Sequence, residues 1–153
     1  MKRAIVGYRQ DDAGDWIAEL PCGHSHHVRH ERPLNNRPWV LTAEGRASML
    51  GEALDCGPCD RAELPTSWHV VRSTPEFNEH SMPAGLRKSH RVAGDRWGRL
   101  AVHAGHMRFT ARTEPPIDIV LGPGATQAIP PQVEHEVEPI GPVTFHLDFL
   151  APE

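Results

Sequence analysis

Gly124-Ala125-Thr126-Gln127-Ala128-Ile129-Pro130-Pro131-Gln132-Val133-Glu134-His135 is the stretch on which the fold reading turns. The glycine turns the chain into a short β-type run at 126–129. Pro130-Pro131 ends that run, because proline has no amide hydrogen for a sheet ladder and cannot sit inside a central strand. His135 then opens the next run, at 135–138. Outward from this stretch the same alternation fills the second half of the chain. Further runs are read at 97–103, 107–111, 117–121 and 143–150. Turns fall at Ala104-Gly105-His106, Gly122-Pro123-Gly124 and Pro139-Ile140-Gly141-Pro142. Regular short strands with turns between them predict an all-β sandwich or barrel.

The chain has 153 residues, enough for one ordinary domain or two small ones. Fifteen Pro and 13 Gly favour short strands and turns over long helices. The formal charge is −4, shared evenly between the halves, which disfavours a non-specific nucleic-acid binder because neutralising phosphates needs a basic surface. No apolar run approaches the roughly 20 residues of a membrane span, and the start of the chain turns polar too soon for a secretory signal. Three Cys is an odd number, so a closed disulfide framework is not expected. The expected compartment is the reducing cytosol, where such Cys more often bind metal or do redox work.

All three Cys lie early, at Cys22, Cys56 and Cys59, and the texture changes after Glu63-Leu64-Pro65-Thr66-Ser67. The expected division is a small module at 1–63 and a second domain at 67–153. In the first, 4–8 and 15–20 read as strands joined by the turn Asp11-Asp12-Ala13-Gly14. Pro21 to His30 reads as a polar loop, and Thr42 caps a short helix running to Leu50. A half this small commonly needs a staple. Cys56-Gly57-Pro58-Cys59 can aim two thiolates at one tetrahedral ion, Cys22 supplies a third sulfur, and His24 or His27 is the nearest fourth ligand. His24 is taken as the ligand. Three thiolates and an imidazole fit structural Zn²⁺. Two other readings stand beside it: a thioredoxin-type dithiol, which lacks a βαβ frame here, and three buried small hydrophobes.

Cys22-Gly23-His24 and His27-Val28-Arg29-His30, followed by Arg37-Pro38-Trp39-Val40, resemble a small bacterial domain family of unknown function marked by CGH and HVRH motifs. The resemblance covers about residues 4–62 and implies no known activity.

The opening stretch has the spacing G-x5-P-x4-H, which resembles the second motif of the cupins, small β-barrels that hold a metal or ligand in their mouth. The resemblance implies that His135 points into the barrel. The first cupin motif is eroded: His90-Arg91-Val92 has one His where H-x-H is usual, and Gly98 stands at the usual Glu position. A third ligand is sought on the last strand. His146 and Asp148 are two apart and share a face, with Phe145, Leu147 and Phe149 on the other. His90, His135 and Asp148 would then form a two-histidine, one-carboxylate set suited to Fe²⁺ or Zn²⁺ with open positions. Arg99 and His146 are expected to contact a ligand, Arg99 through charge-assisted bonds to an anion. Arg87 is read as solvated, and His103 as facing away from the cavity. The alternative is a metal-free apolar barrel with hydrogen-bonded histidines.

At finer grain, Arg72-Ser73-Thr74-Pro75-Glu76-Phe77, Pro83-Ala84-Gly85-Leu86, Trp97-Gly98-Arg99-Leu100-Ala101-Val102 and Phe145-His146-Leu147-Asp148-Phe149 resemble a cupin-like family. It includes bacterial YeaR proteins and the N-terminal domain of TehB-type tellurite-resistance proteins. The resemblance implies a barrel that binds a divalent metal at His90, His135 and Asp148. Methyltransferase activity does not carry over, since no strand–GxGxxG–helix unit is present. The expectation is a mainly β protein: a cupin-like barrel preceded by a small α+β zinc-ribbon-like module. It would bind a small polar or anionic ligand at a metal, in a stress or oxyanion response. A metal-dependent oxygenase, isomerase or hydrolase is the enzyme alternative, and a regulatory adaptor using the Cys/His module is the third. A homodimer is expected by analogy with cupins, many of which pair through strand edges.

Overall fold

A computed structural model describes every residue, Met1–Glu153, and the chain divides into two compact units, Met1–Cys56 and Gly57–Glu153. In the first unit the strand expected at 4–8 is two strands. β1 (Lys2–Ala4) pairs with β5 (Ala53–Asp55), while β2 (Gly7–Gln10) pairs with β3 (Trp16–Glu19). The chain changes ladder at Ile5-Val6, where Ile5 donates to Glu52 and Val6 to Glu19. Asp11 builds the β2–β3 turn by accepting from the amides of Ala13 and Asp15. Part of the expected polar loop is a third strand, β4 (Ser25–His27), on β3. Thr42 caps α1 (Ala43–Ser48) by accepting from Gly45 at 3.0 Å. Ile5, Ala18, Val28 and Val40 form the core, flanked by Tyr8, Trp16, Trp39, Met49 and Leu54. With Ile17 and Leu20 the unit buries six aliphatics, a small core for a unit of this length.

In the second unit α2 (Gly57–Asp60), a single turn, precedes β6 (His69–Ser73) and β7 (Phe77–Asn78). A 3₁₀ turn at Ala84–Arg87 follows, then β8 (Trp97–Ala111), β9 (Ile117–Leu121), β10 (Thr126–Ile129) and β11 (His135–Ala151). The runs expected at 97–103 and 107–111 are one strand, β8, and those at 135–138 and 143–150 are another, β11. Antiparallel pairing joins them from His135↔Ala111 to Leu150↔Trp97. The glycines read as turns are irregularities inside these strands, where the register shifts between Ile140 and Val143. Gly105 has φ +76°, and a Cβ there would meet the Pro142 carbonyl at 1.9 Å, so this crossing requires glycine.

Register assigns the faces. Ala111, Phe109, Met107, Val102 and Leu100 of β8 lie opposite His135, Val137, Pro139, Phe145 and Leu147 of β11. All of these are buried except Pro139, which is half-buried. They form the inner face, and the residues between them form the outer one. The sheet runs β10-β8-β11-β6, with β9 added on β8 and β7 on β11, all antiparallel. β10 and β6 end the path and do not pair. The expected closed barrel is therefore corrected to an open antiparallel sheet around an apolar interior.

Candidate metal centre

Cys22, His24, Cys56 and Cys59 converge, with their ligand atoms all within 4.8 Å of one another. Local structure explains why. Pro21-Cys22-Gly23-His24 is the tight turn between β3 and β4, closed by Gly23 donating to Leu20 and Leu20 donating to His24. Gly23 sits at φ +85°, a conformation an L side chain rarely adopts. This turn puts Cys22 and His24 on one side. Cys56 directly follows β5, its amide held by the Met1 carbonyl at 2.7 Å, and the single turn of α2 brings Cys59 back beside it. The three cysteines are at most 1% exposed, and none is in a disulfide.

The edges of the cluster test the fit. Cys22 Sγ lies 3.9 Å from Cys56 Sγ, and Cys56 Sγ lies 3.4 Å from His24 Nδ1. A tetrahedral ion with metal–sulfur bonds of about 2.3 Å and metal–nitrogen bonds of about 2.0 Å has edges of about 3.8 and 3.5 Å, so these two edges match a four-coordinate site, and the four donors together could hold a metal ion. His27, the alternative fourth ligand, faces elsewhere: its Nε2 meets Asp11 Oδ2 at 3.0 Å.

The histidines of the second unit meet as well. His90 and His135 form an isolated bridge, His90 donating to the His135 carbonyl at 2.9 Å and His135 to that of His90 at 3.0 Å. Their rings are 5.5 Å apart and nearly perpendicular. His135 is buried, whereas His90 is exposed. His135 Nδ1 donates to the Val133 carbonyl at 3.0 Å, which leaves Nε2 as the lone-pair nitrogen. Burial, reinforced by nearby His90, holds the imidazole below its ordinary pKa against the pull of that carbonyl. His135 lines a cavity of about 250 Å³ with Ser89, Arg112, Ile117 and Glu134.

Asp148 does not join this pair. Its position opposite Arg99 places it on the outer face of the sheet, whereas His135 is on the inner one. There it accepts from Ser73 Oγ at 2.6 Å and from Arg99 Nε and Nη2 at 3.1 and 2.7 Å. Burial pushes its carboxyl up, but the bonds from Ser73 and Arg99 and the charges of His146 and Arg99 outweigh that and leave it below the ordinary range. The expected three-donor set of His90, His135 and Asp148 is not assembled. Arg99 is committed to Asp148 rather than open to an anion. Gly98, at the position where cupins carry Glu, is closed over: a Cβ would meet both Ile129 and Val92 at 3.3 Å.

His146 belongs to the same outer network. Its Nε2 meets Asp148 Oδ1 at 3.1 Å, and its Nδ1 meets His103 Nε2 at 2.6 Å. Sequence reasoning missed Ser73 and His103 as partners. Ser73 faces Asp148 only through the β6–β11 ladder, and His103 reaches His146 only across a register shift. Arg87 donates to the Glu79 carbonyl.

The comparisons with known proteins match two separate segments of the chain. Residues 6–63 match the family described as "Protein of unknown function (DUF3565)", and residues 72–147 match the "TehB-like domain". The chain is 32% identical over 101 residues to "Uncharacterized protein YeaR" of Escherichia coli, strains K12 and O157:H7, spanning 60% of this chain and 85% of YeaR. A crystal structure of an Escherichia coli K12 protein matches at a TM-score of 0.54 and 26% identity, over 60% of this chain and 89% of that one. TehB from Haemophilus influenzae matches at a TM-score of 0.52 and 21% identity, over 57% of this chain and 32% of that one, which speaks to the fold alone. No helix is long and apolar enough to cross a membrane. With 32% identity over 85% of YeaR's length and the TehB-like match at 72–147, the chain belongs to the family of YeaR and the TehB-like domain, and bears a DUF3565 segment ahead of that domain.

Proposed function

We propose that the protein is a zinc-stapled small-molecule-binding protein of the tellurite-resistance-related type, a binder rather than an enzyme. The observation that carries the reading is the convergence of the Cys22, His24, Cys56 and Cys59 ligand atoms within 4.8 Å of one another, with the Cys22–Cys56 and Cys56–His24 separations close to tetrahedral edges. Three sulfurs and one imidazole nitrogen with no fifth protein donor is the composition of a closed structural zinc site, and the soft thiolates select against Mg²⁺ and Ca²⁺. The ion's part is to cross-link the β3–β4 turn to the end of β5 and the turn after it. Reduced thiolates of this kind suit the cytosol.

The C-terminal unit is the ligand-binding module, a cupin-like sheet whose interior opens between unpaired strands. Binding is favoured over catalysis because Asp148 is neutralised by Arg99, and no open metal centre with three protein donors forms beside His135. The test is elemental analysis of protein purified without added metal, alongside Cys59→Ser. The expected result is one zinc per chain, lost in the variant. Two equivalents, the second lost in His135→Ala, would restore a metal centre in the sheet and the enzyme reading with it. Absence of zinc with a ready Cys56–Cys59 disulfide would favour redox chemistry.

A further inference from the structure

One register row crosses four strands of the C-terminal sheet. Arg72 of β6 lies opposite Phe149 of β11, Phe149 opposite Gly98 of β8, and Gly98 opposite Ile129 of β10. Val92 and Ile129 pack onto the bare Gly98 backbone. Next to this apolar patch is a cavity of about 470 Å³ lined by Val71, Arg72, Val92, Ala93, Arg96 and Phe149. Its size falls within the roughly 300–1,000 Å³ of small-molecule sites.

The charges there are one-sided. Arg99, Arg91 and Arg108 each hold a carboxylate elsewhere on the sheet. The Arg72 guanidinium holds none: its carbon lies 5.8 Å from the centre of the Phe149 ring. Arg96 is met by its neighbour Asp95 at 2.9 Å. No acidic side chain lines the cavity. A guanidinium with five unused donors beside an aromatic ring and three aliphatic side chains offers one end for a planar anion and the other for an apolar body. A bare inorganic oxyanion would find Arg72, an Arg96 already paired with Asp95, and then apolar wall, and would lose more hydration than these groups restore.

We propose that this cavity binds a small organic anion with an aromatic or branched apolar body, its carboxylate or sulfonate held by Arg72. The inference rests on reading the C-terminal unit as a binding module, and it names that module's site and ligand class. The experiment is calorimetric titration of the full chain with 2-naphthoate, its neutral counterpart 2-naphthylmethanol and inorganic phosphate. Wild type, Arg72→Gln and the control Arg112→Gln are compared at millimolar ligand. The Arg72 side chain makes no hydrogen bond, so the substitution leaves the β6–β11 ladder intact, which circular dichroism checks. The expected result is that naphthoate binds at least tenfold tighter than the alcohol, phosphate does not bind, and Arg72→Gln weakens naphthoate about tenfold while Arg112→Gln leaves it unchanged. Equal naphthoate affinity in wild type and Arg72→Gln, or equal binding of the alcohol, overturns this site and leaves the binding-module reading standing. Phosphate binding as tightly as naphthoate overturns the ligand class. No binding by any of the three overturns the site and the binding-module reading together.

Discussion

The two units solve the same problem with opposite means. Met1–Cys56 has three short ladders and a small cluster of four buried aliphatics at its centre, and it carries three of the four donors of a Cys/His cluster that could hold a metal ion. Gly57–Glu153 has two strands of 15 and 17 residues that pair along their whole length, and it buries Trp97, Leu100, Phe109, Phe145 and Leu150 between them. The difference teaches where function has room. A unit that needs its ligand cluster to stay folded cannot open that cluster for chemistry. A unit whose sheet and core suffice can leave a cavity, a bridged histidine pair and an arginine without a carboxylate partner. Metal dependence should therefore be confined to the first unit, and sensitivity to core truncation should be greatest in the second.

The largest expected effect comes from Cys59→Ser. Binding energy of structural zinc is folding energy, on the order of 10 kcal/mol. The variant should lose the native near-ultraviolet signal of Trp16 and Trp39 while the C-terminal unit still melts cooperatively, and an unchanged melt of both units would break the contrast. Next is Phe145→Ala. Phe145 is 0% exposed on the inner face, and its truncation should cost about 3–5 kcal/mol of C-terminal stability by urea denaturation, leaving metal content at one equivalent. Gly105→Ala should cost about 2–3 kcal/mol through its left-handed φ and the clash with Pro142, which sharpens the claim that these glycines shape strands and do not close hairpins. Thr42→Ala removes the α1 cap and should cost about 1 kcal/mol, visible only in the first unit.

The last effect is a slope. Burial holds the His135 imidazole below its ordinary pKa in the fold, whereas an unfolded imidazole takes up a proton near about pH 6.5. Its contribution is therefore complete above that pH and is lost progressively as pH falls below it. Urea midpoints of the C-terminal unit between pH 7.5 and 5 should fall in the wild type and flatten in His135→Gln. Equal slopes would assign the dependence to other groups. The carboxylates held low by arginines, Asp118 by Arg108 and Glu134 by Arg91 and Arg112, act only at lower pH, where they begin to protonate.

How much could be read in advance depended on distance along the chain. Cys22-Gly23-His24 and Cys56-Gly57-Pro58-Cys59 are each one turn, so their residue types and spacing carried nearly all the information that places four donors together. The pairing of His90 with His135 followed from motif spacing. Asp148 was misplaced for a reason visible in hindsight at Phe145 and Leu147: those two take the inner face, and strict alternation then sends His146 and Asp148 outward. The strand ends were misread because a glycine at positive φ looks the same in sequence whether it closes a hairpin or bends a continuous strand, as Gly105 and Gly141 do. Openness of the sheet depends on whether β10 meets β6, a contact between residues far apart in the chain that no local pattern encodes.

The most direct test of the central claim is amide hydrogen exchange on the full chain, with and without a zinc chelator, resolved by peptide. Protection should collapse across β1 to β5 on chelation and persist in β8 and β11. Protection that survives chelation throughout β1 to β5 would mean the cluster is not what holds the first unit, and would contradict the account.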